Sequence, residues 1–405
     1  MTIHEMKVDS SPAPEIPEPD VYEHPLPEDR LDADAVKVLR RLTRNDHVAF
    51  LVGGGVRDLL LGRRPKDYDV ATSARPQEVR ALFRNCRVIG RRFRLAHILF
   101  SGGKVIETAT FRRDPSEDDA ADPLIRRDNV FGEPHEDAVR RDFTINGLFY
   151  DLNRGEVIDY VGGVSDLEHG ILRMIGDPNR RLQEDPVRIL RAIKFSARLD
   201  FGIDPSLYDA IVRHRADLRR AAPPRVLEEI LRFLRSRVAH RSFYLMWDTG
   251  VLAQVLPEVA AFVEDESPAA DLLWGRLMAA DRMAAAGENF SDAVLLAALL
   301  YDPILEWIED SPDPSKRFEA FFEDVTERLS VPRRMKDQVR SIVVAQRRLD
   351  SGKLGSLPRR DFFGEAAQLF ALRATAEGRA LPKWYTEQEP RPKGNKPRRR
   401  RSPRR

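Results

Sequence analysis

Apolar and polar positions follow two alternating periods over the first half of the chain and a single period over the second. From about Leu31 to Met174, helix-like and strand-like stretches take turns. Asp34 to Arg44 has helical spacing, whereas Phe50, Leu51 and Val52 form a short apolar run typical of a buried strand. That run stops at Gly53, Gly54 and Gly55. Val56 to Leu61 then makes about two helical turns, and Gly62 supplies the expected left-handed C-cap. A further helix is predicted over Pro76–Phe83. Strands are predicted near Arg87–Ile89, His97–Phe100, Val105–Phe111 and Glu156–Gly163. Beyond Glu184 the spacing is helical throughout: Val187, Leu190, Ile193 and Ala197 fall on one face, and Leu227–Val238, Ala293–Leu300 and Met335–Leu349 continue the style. The pattern therefore predicts an α/β head with a small mixed sheet, followed by an all-α neck and body. The boundaries expected are a leader over 1–30, the head over 31–174, a neck over 175–240, a body over 241–383 and a tail over 384–405. No internal repeat is visible.

Composition narrows the class. A chain of 405 residues with 42% hydrophobic content exceeds one typical domain and can bury more than one core. No apolar run reaches the length of a membrane span, and the N-terminus lacks a basic-then-apolar signal pattern. Cys86 is the single cysteine, which excludes an internal disulfide and fits a reducing compartment such as the cytoplasm. The net charge of +2 is unevenly spread: Arg391–Arg405 holds nine basic residues and no acidic one, so the rest of the chain is net acidic. An Arg- and Pro-rich run with no apolar residue cannot build a core and is expected to be disordered. Arg398, Arg399, Arg400 and Arg401 within it would attract RNA phosphates without reading sequence. The Pro-, Glu- and Asp-rich leader is likewise expected to be disordered.

The densest chemistry lies between Leu51 and Val70, LVGGGVRDLLLGRRPKDYDV. Glycines at a strand-to-helix junction let backbone N–H groups approach phosphate oxygens, with the helix dipole assisting. Asp67, Tyr68 and Asp69 read as the start of the next strand, so both carboxylates share a face while Tyr68 packs opposite. Two like charges that close call for a cation between them, and magnesium on a nucleoside triphosphate would supply it. Taken singly, the glycines are a tight turn and Asp-x-Asp a solvated strand end. In this order, within some twenty residues, they point to nucleotidyl transfer.

GGGVRDLLLGRRPKDYD resembles the signature of the class II nucleotidyltransferases of the polymerase β superfamily, which holds bacterial poly(A) polymerases and CCA-adding enzymes. The resemblance continues through RRDFTING (Arg140–Gly147), DYVGGVSDLEHGILRMIGDP (Asp159–Pro178) and EDPVRILRAIKF (Glu184–Phe195). Such transfer uses two metal ions about 3.5–4 Å apart, and Asp67 and Asp69 are the residues expected to bridge them. The nucleotide is expected at Gly53, Gly54, Arg57 and Arg141, with its phosphates toward the glycines. A third carboxylate has two candidates. Glu107 is charged among apolar neighbours in VIETATF, and Asp142 follows Arg140 and Arg141, which could hold a phosphate or ribose. The alternative for Asp142 is a salt-bridged N-cap before Phe143.

Asp185 and Arg188 sit three residues apart, which places an acceptor beside a donor. That pair matches the Watson–Crick edge of adenine and also that of cytosine, and the resemblance implies that it selects the base, with Glu184 and Arg191 in support. Asp185 before Pro186 also reads as an ordinary helix start. The pair cannot separate an ATP-only enzyme from one that adds C, C and A. GRRFRLAH (Gly90–His97) and FALRATAEG (Phe370–Gly378) resemble the bacterial poly(A) polymerase I group; Arg91, Arg92 and Arg94 could face phosphate, and His97 reads as a hydrogen-bonded structural residue. The acidic, proline-interrupted stretch from Arg112 to Asp128 reads as a flexible loop. The sequence thus predicts a monomeric poly(A) polymerase that adds AMP from ATP to RNA 3′ ends with magnesium. A CCA-adding enzyme is the alternative in the same chemistry. The intact Asp67/Asp69 and Gly53/Gly54 pairs speak against a non-catalytic RNA-binding protein, and the long helical body against a small-molecule transferase.

Overall fold

The computed structural model describes residues 18–24, 26, 28–90, 94–114, 130–264, 267–309 and 311–386. The chain falls into two compact units, Met1–Leu218 and Arg219–Arg405. The first contains an eight-stranded sheet made of β1 (Asp20–Glu23), β2 (Ala49–Val52), β3 (Asp69–Thr72), β4 (Cys86–Ile89), β5 (Leu95–Leu99), β6 (Val105–Thr110), β7 (Leu148–Asp151) and β8 (Glu156–Asp159). Its order is β1-β8-β7-β2-β3-β6-β5-β4. Described neighbours pair antiparallel except β3 and β6, which run parallel with Asp69 opposite Glu107. That register decides the site, because laterally paired residues project from the same face.

The helices of this unit are α1 (Ala33–Thr43), α2 (Gly54–Leu60), α3 (Pro76–Leu82), α4 (Pro134–Val139), α5 (Gly163–Glu168), α6 (Pro178–Glu184), α7 (Val187–Leu199) and α8 (Pro205–His214). One sheet face buries Phe50, Val52, Ala71, Phe149 and Ile158 with Phe111 and with Ala138 of α4. The Phe50, Phe111 and Phe149 rings lie 6.0–6.3 Å apart, within the range of favourable aromatic pairs. Leu51 and Tyr150, paired across β2 and β7, occupy the other face beside Ala35 and Leu39 of α1. Asp32 starts α1 by accepting from the backbone N–H of Asp34 and Ala35. Helix α7 buries Val187, Leu190, Ile193 and Ala197, the stripe predicted from spacing.

Three elements differ from the sequence expectation. Asp20–Glu23, inside the leader expected to be disordered, forms an edge strand along β8. Its side chains are all exposed, so backbone pairing holds it and no apolar pattern announces it. β7 was hidden because its short apolar run continues directly from the RRDFTING turn. A two-residue parallel pairing of Ile171–Leu172 with Gly202–Ile203 interrupts the helical run after Glu184.

The second unit is helical throughout its described residues. Tyr301 lies between two guanidinium groups, with Arg276 5.5 Å and Arg373 4.4 Å from its ring centre. Arg276 donates to the Ala298 carbonyl and pairs with Asp302, while Arg373 donates to Gln346 and Asp350. Burial pushes the Tyr301 hydroxyl up to about 12, keeping it neutral between the cations. Arg373 belongs to FALRATAEG, so that motif supplies a core clamp. The expected basic tail, including Arg398 to Arg401, lies outside the described residues, as does most of the acidic stretch.

Candidate active site

β2 runs into the glycine turn, where Gly53 adopts φ +67° and donates its N–H to the Leu148 carbonyl at 3.1 Å. A Cβ on Gly53 would stand 3.0 Å from Arg141 Nη1, so glycine supplies both the left-handed backbone and the room for that arginine. Gly54 begins α2, and Gly62 closes that segment at φ +69°, as the spacing predicted.

Arg57, expected among the nucleotide-binding residues, packs behind the glycine turn. Its guanidinium is buried, donates to Asp58 Oδ1 at 2.7 and 2.9 Å and to Asn146 Oδ1 at 2.6 Å, and lies 5.2 Å from the Phe195 ring centre. It locks α2 to the Thr144–Asn146 turn and to α7, which leaves it to hold the glycine turn from behind.

Asp67 is exposed just ahead of β3, and Asp69 opens the strand. On β6, Glu107 stands opposite Asp69, and on β5 His97 stands opposite Glu107. The structure therefore brings Asp67, Asp69 and Glu107 to one end of the sheet, with His97 Nε2 3.6 Å from Glu107 Oε1. Burial raises the Asp69 carboxyl to about 6, and the charges of Glu107 and Asp67 push the same way against Arg141. Such a set of hard oxygen donors with excess negative charge fits magnesium. The described side chains do not by themselves close into a metal cage, so phosphate oxygens would have to complete one.

Asp142 is placed elsewhere. Its Oδ2 accepts from Arg191 Nε at 2.8 Å, and its Oδ1 accepts from Asn146 Nδ2 at 3.2 Å and from the Phe143 N–H at 2.9 Å. Burial would raise this carboxyl, but Arg191 and the hydrogen bonds outweigh it and hold it below the usual range. Arg141 spans the two clusters: it donates to Asp137 and to the Asn146 carbonyl, packs 5.3 Å from the Phe149 ring centre, and its charge acts on Asp69.

The α6–α7 junction is tied to this region through Arg181, whose Nη2 donates to the carbonyls of Arg140 at 2.7 Å and Arg141 at 2.8 Å. Asp185 ends α6 and accepts from the Val187 N–H at 3.3 Å, close to the helix-start role expected of it. Arg188 Nη1 donates to the Arg181 carbonyl at 2.6 Å and meets Glu184 at 3.3 Å. The long DYVGG motif is a scaffold. Asp159 caps the backbone of Val161 and Val164, and Asp166 accepts from Thr144 Oγ1 at 2.7 Å. A Cβ on Gly163 would come within 2.2 Å of the Thr144 carbonyl, so only glycine permits that approach. Sequence reasoning passed over Asn146, Asp137 and Arg181; Asn146 alone carried a signal, lying inside RRDFTING. Arg91 and Arg92 lie outside the described residues.

A glycine turn, with Asp67, Asp69 and Glu107 gathered at one end of two parallel strands and an arginine nearby, makes a candidate site for nucleotidyl transfer. The Poly A polymerase head domain family matches residues 49–173, and the probable RNA and SrmB-binding site of polymerase A matches residues 200–263. Poly(A) polymerase I of Escherichia coli is 37% identical over 392 residues, covering 90% of this chain and 84% of that protein. A CCA-adding enzyme of Lactobacillus helveticus is 36% identical over 228 residues, covering 56% of this chain and 55% of that one. In fold, the chain is similar to the CCA-adding enzyme of Bacillus stearothermophilus solved with CTP, at TM-score 0.61 and 25% identity, covering 87% and 80% of the two chains. The chain belongs to the bacterial poly(A) polymerase I family, whose relatives include the CCA-adding enzymes, and it is a polynucleotide nucleotidyltransferase.

Proposed function

We propose that this enzyme uses ATP and magnesium to add AMP residues to RNA 3′ ends without a template, releasing pyrophosphate. The observation that carries the chemistry is the register of Asp69 against Glu107, with Asp67 two residues upstream. We assign Glu107 as the third carboxylate and Asp142 as the residue that positions Arg191 and Asn146. Magnesium, when bound, neutralises phosphate charge and lowers the pKa of the attacking hydroxyl. Gly53, whose left-handed backbone makes the turn, and Gly54, which opens α2, let the triphosphate approach the helix start, and Arg141 adds a fixed cation beside them. Asp67, Asp69 and Glu107 hold the reacting region in place, so positioning and charge supply most of the rate.

Asp185 would accept from the exocyclic amine of adenine while Arg188 donates to N1; the described structure engages only Nη1 of that guanidinium. Cytosine offers the same edge. The poly(A) reading is favoured by the length of the match, 90% of the chain against 56% for the CCA-adding relative. The test is pyrophosphate release with an oligo(A) acceptor, magnesium and each nucleoside triphosphate in turn. Release with ATP alone is expected; comparable release with CTP would contradict ATP selectivity.

A further inference from the structure

Adenine and cytosine offer Asp185 and Arg188 the same hydrogen-bonding edge, so the identity of the pair does not choose between them. The two bases differ in reach: a purine carries that edge farther from the ribose than a pyrimidine does. A donor and acceptor that prefer adenine must therefore be held at one distance from the sugar and phosphates. Whatever ties the α6–α7 junction to the phosphate end of the site bears on base choice.

Both members of the pair hang on one carbonyl. The Arg181 C=O accepts from the Asp185 N–H at 3.3 Å and from Arg188 Nη1 at 2.6 Å. The side chain of the same residue reaches the other way. Its Nη2 donates to the carbonyls of Arg140 at 2.7 Å and Arg141 at 2.8 Å, just past the end of α4. That backbone presents Asp142 and Arg141, whose charge acts on Asp69. The Arg181 side chain is 11% exposed, and one oxygen of Glu184 lies 3.4 Å from it and 3.3 Å from Arg188. That carboxylate offsets the repulsion between two guanidinium groups. Burial, followed by the Arg188 charge, pushes Arg181 below the ordinary arginine range. Arg181 thus joins the base-reading pair, through its carbonyl, to the segment carrying Arg141 and Asp142, through its guanidinium.

We propose that Arg181 is a positioning residue for base choice: it sets how far Asp185 and Arg188 stand from the sugar and phosphates, at the distance that suits a purine. This rests on the base-reading role proposed for that pair. A guanidinium bonded to two successive carbonyls fixes direction as well as distance, whereas the single ammonium of a lysine would act as a point charge.

The test is nucleotide addition to oligo(A) by the full-length enzyme, read as kcat/KM with ATP, CTP and UTP. Wild type is compared with R181M, R181K, R188A and R181M/R188A. R181M lowers the ATP-to-CTP ratio by about tenfold or more, within the roughly 10²-fold cost that a misplacement of about 1 Å can carry, and R181K lowers it less. In the R188A background, R181M leaves that ratio where R188A alone puts it, because the two residues act through one contact. Equal losses with ATP and CTP, or the same drop in the ratio with and without Arg188, overturn the proposal. If R181M melts below the assay temperature, R181K decides: a lowered ratio supports the proposal and an unchanged one overturns it. R188A also checks the underlying reading. Uracil presents the opposite edge, so R188A must narrow the preference for ATP over UTP. An unchanged ATP-to-UTP preference would strike the base-reading assignment itself, an outcome distinct from an unmoved ratio in the Arg181 variants.

Discussion

Burial beside Glu107 and Asp67 leaves Asp69 holding its proton up to a pH of about 6, well above an ordinary aspartate. The sign of its effect on stability follows from linkage. A carboxyl whose folded pKa is raised stabilises the fold at low pH, and that contribution is lost as pH rises through about 6. In magnesium-free protein, Asp69→Asn should therefore raise Tm near pH 7.5 and change it little near pH 4, measured by thermal melts. The same variant should lose about 10³-fold or more in nucleotide incorporation, the scale of removing one preorganised electrostatic group. Glu107 and Asp142 separate by a different pair of readouts. Glu107→Gln should melt like the wild type and lose activity. Asp142→Ala leaves Arg191 without its carboxylate and should cost about 3 kcal/mol in denaturant titrations. A stable, inactive Asp142→Ala beside an active Glu107→Gln would reverse the assignment.

At the scale of elements, the parallel pairing of β3 and β6 and the turn at Thr144–Asn146 carry the site. Gly163 is where α5 meets that turn most closely. Gly163→Ala should displace the Thr144 carbonyl and cost about 2 kcal/mol or more, with a raised KM for ATP because Asn146 and Arg141 move with the turn. Most elements of the head were legible in the sequence because their apolar runs end at punctuating glycines: Phe50–Val52 before Gly53, Val56–Leu61 before Gly62. β1 was not, since Val21 and Tyr22 stay exposed and its pairing with β8 is through the backbone. Asp67 and Asp69 could be read as a pair from their spacing. The choice between Glu107 and Asp142 could not, because spacing within VIETATF says nothing about which strand lies beside it. The register puts Glu107 beside Asp69, and the proposal of Glu107 rests on that. Arg57 shows a related limit: a conspicuous arginine after a glycine turn gives no hint that Asp58 and Asn146 will accept from it in a buried setting.

For the whole molecule, the candidate carboxylates lie in the first unit, and the second unit can be probed by its own core. Arg373→Ala in the second unit removes the clamp on Tyr301 and bonds to Gln346 and Asp350. It should lower stability by about 1–3 kcal/mol in denaturant titrations while leaving kcat of the folded enzyme unchanged. The nine basic residues of Arg391–Arg405 call for a salt test. Removing them should reduce the slope of log affinity for RNA against log salt by up to ~6, at ~0.7 per phosphate contact. The most direct measurement of the account is the product ladder from purified enzyme, magnesium, ATP and CTP together, on a tRNA lacking its CCA end. Long homopolymeric adenosine tails, unchanged when CTP is omitted, are the predicted result. Incorporation of CTP followed by arrest once CCA is complete would contradict it.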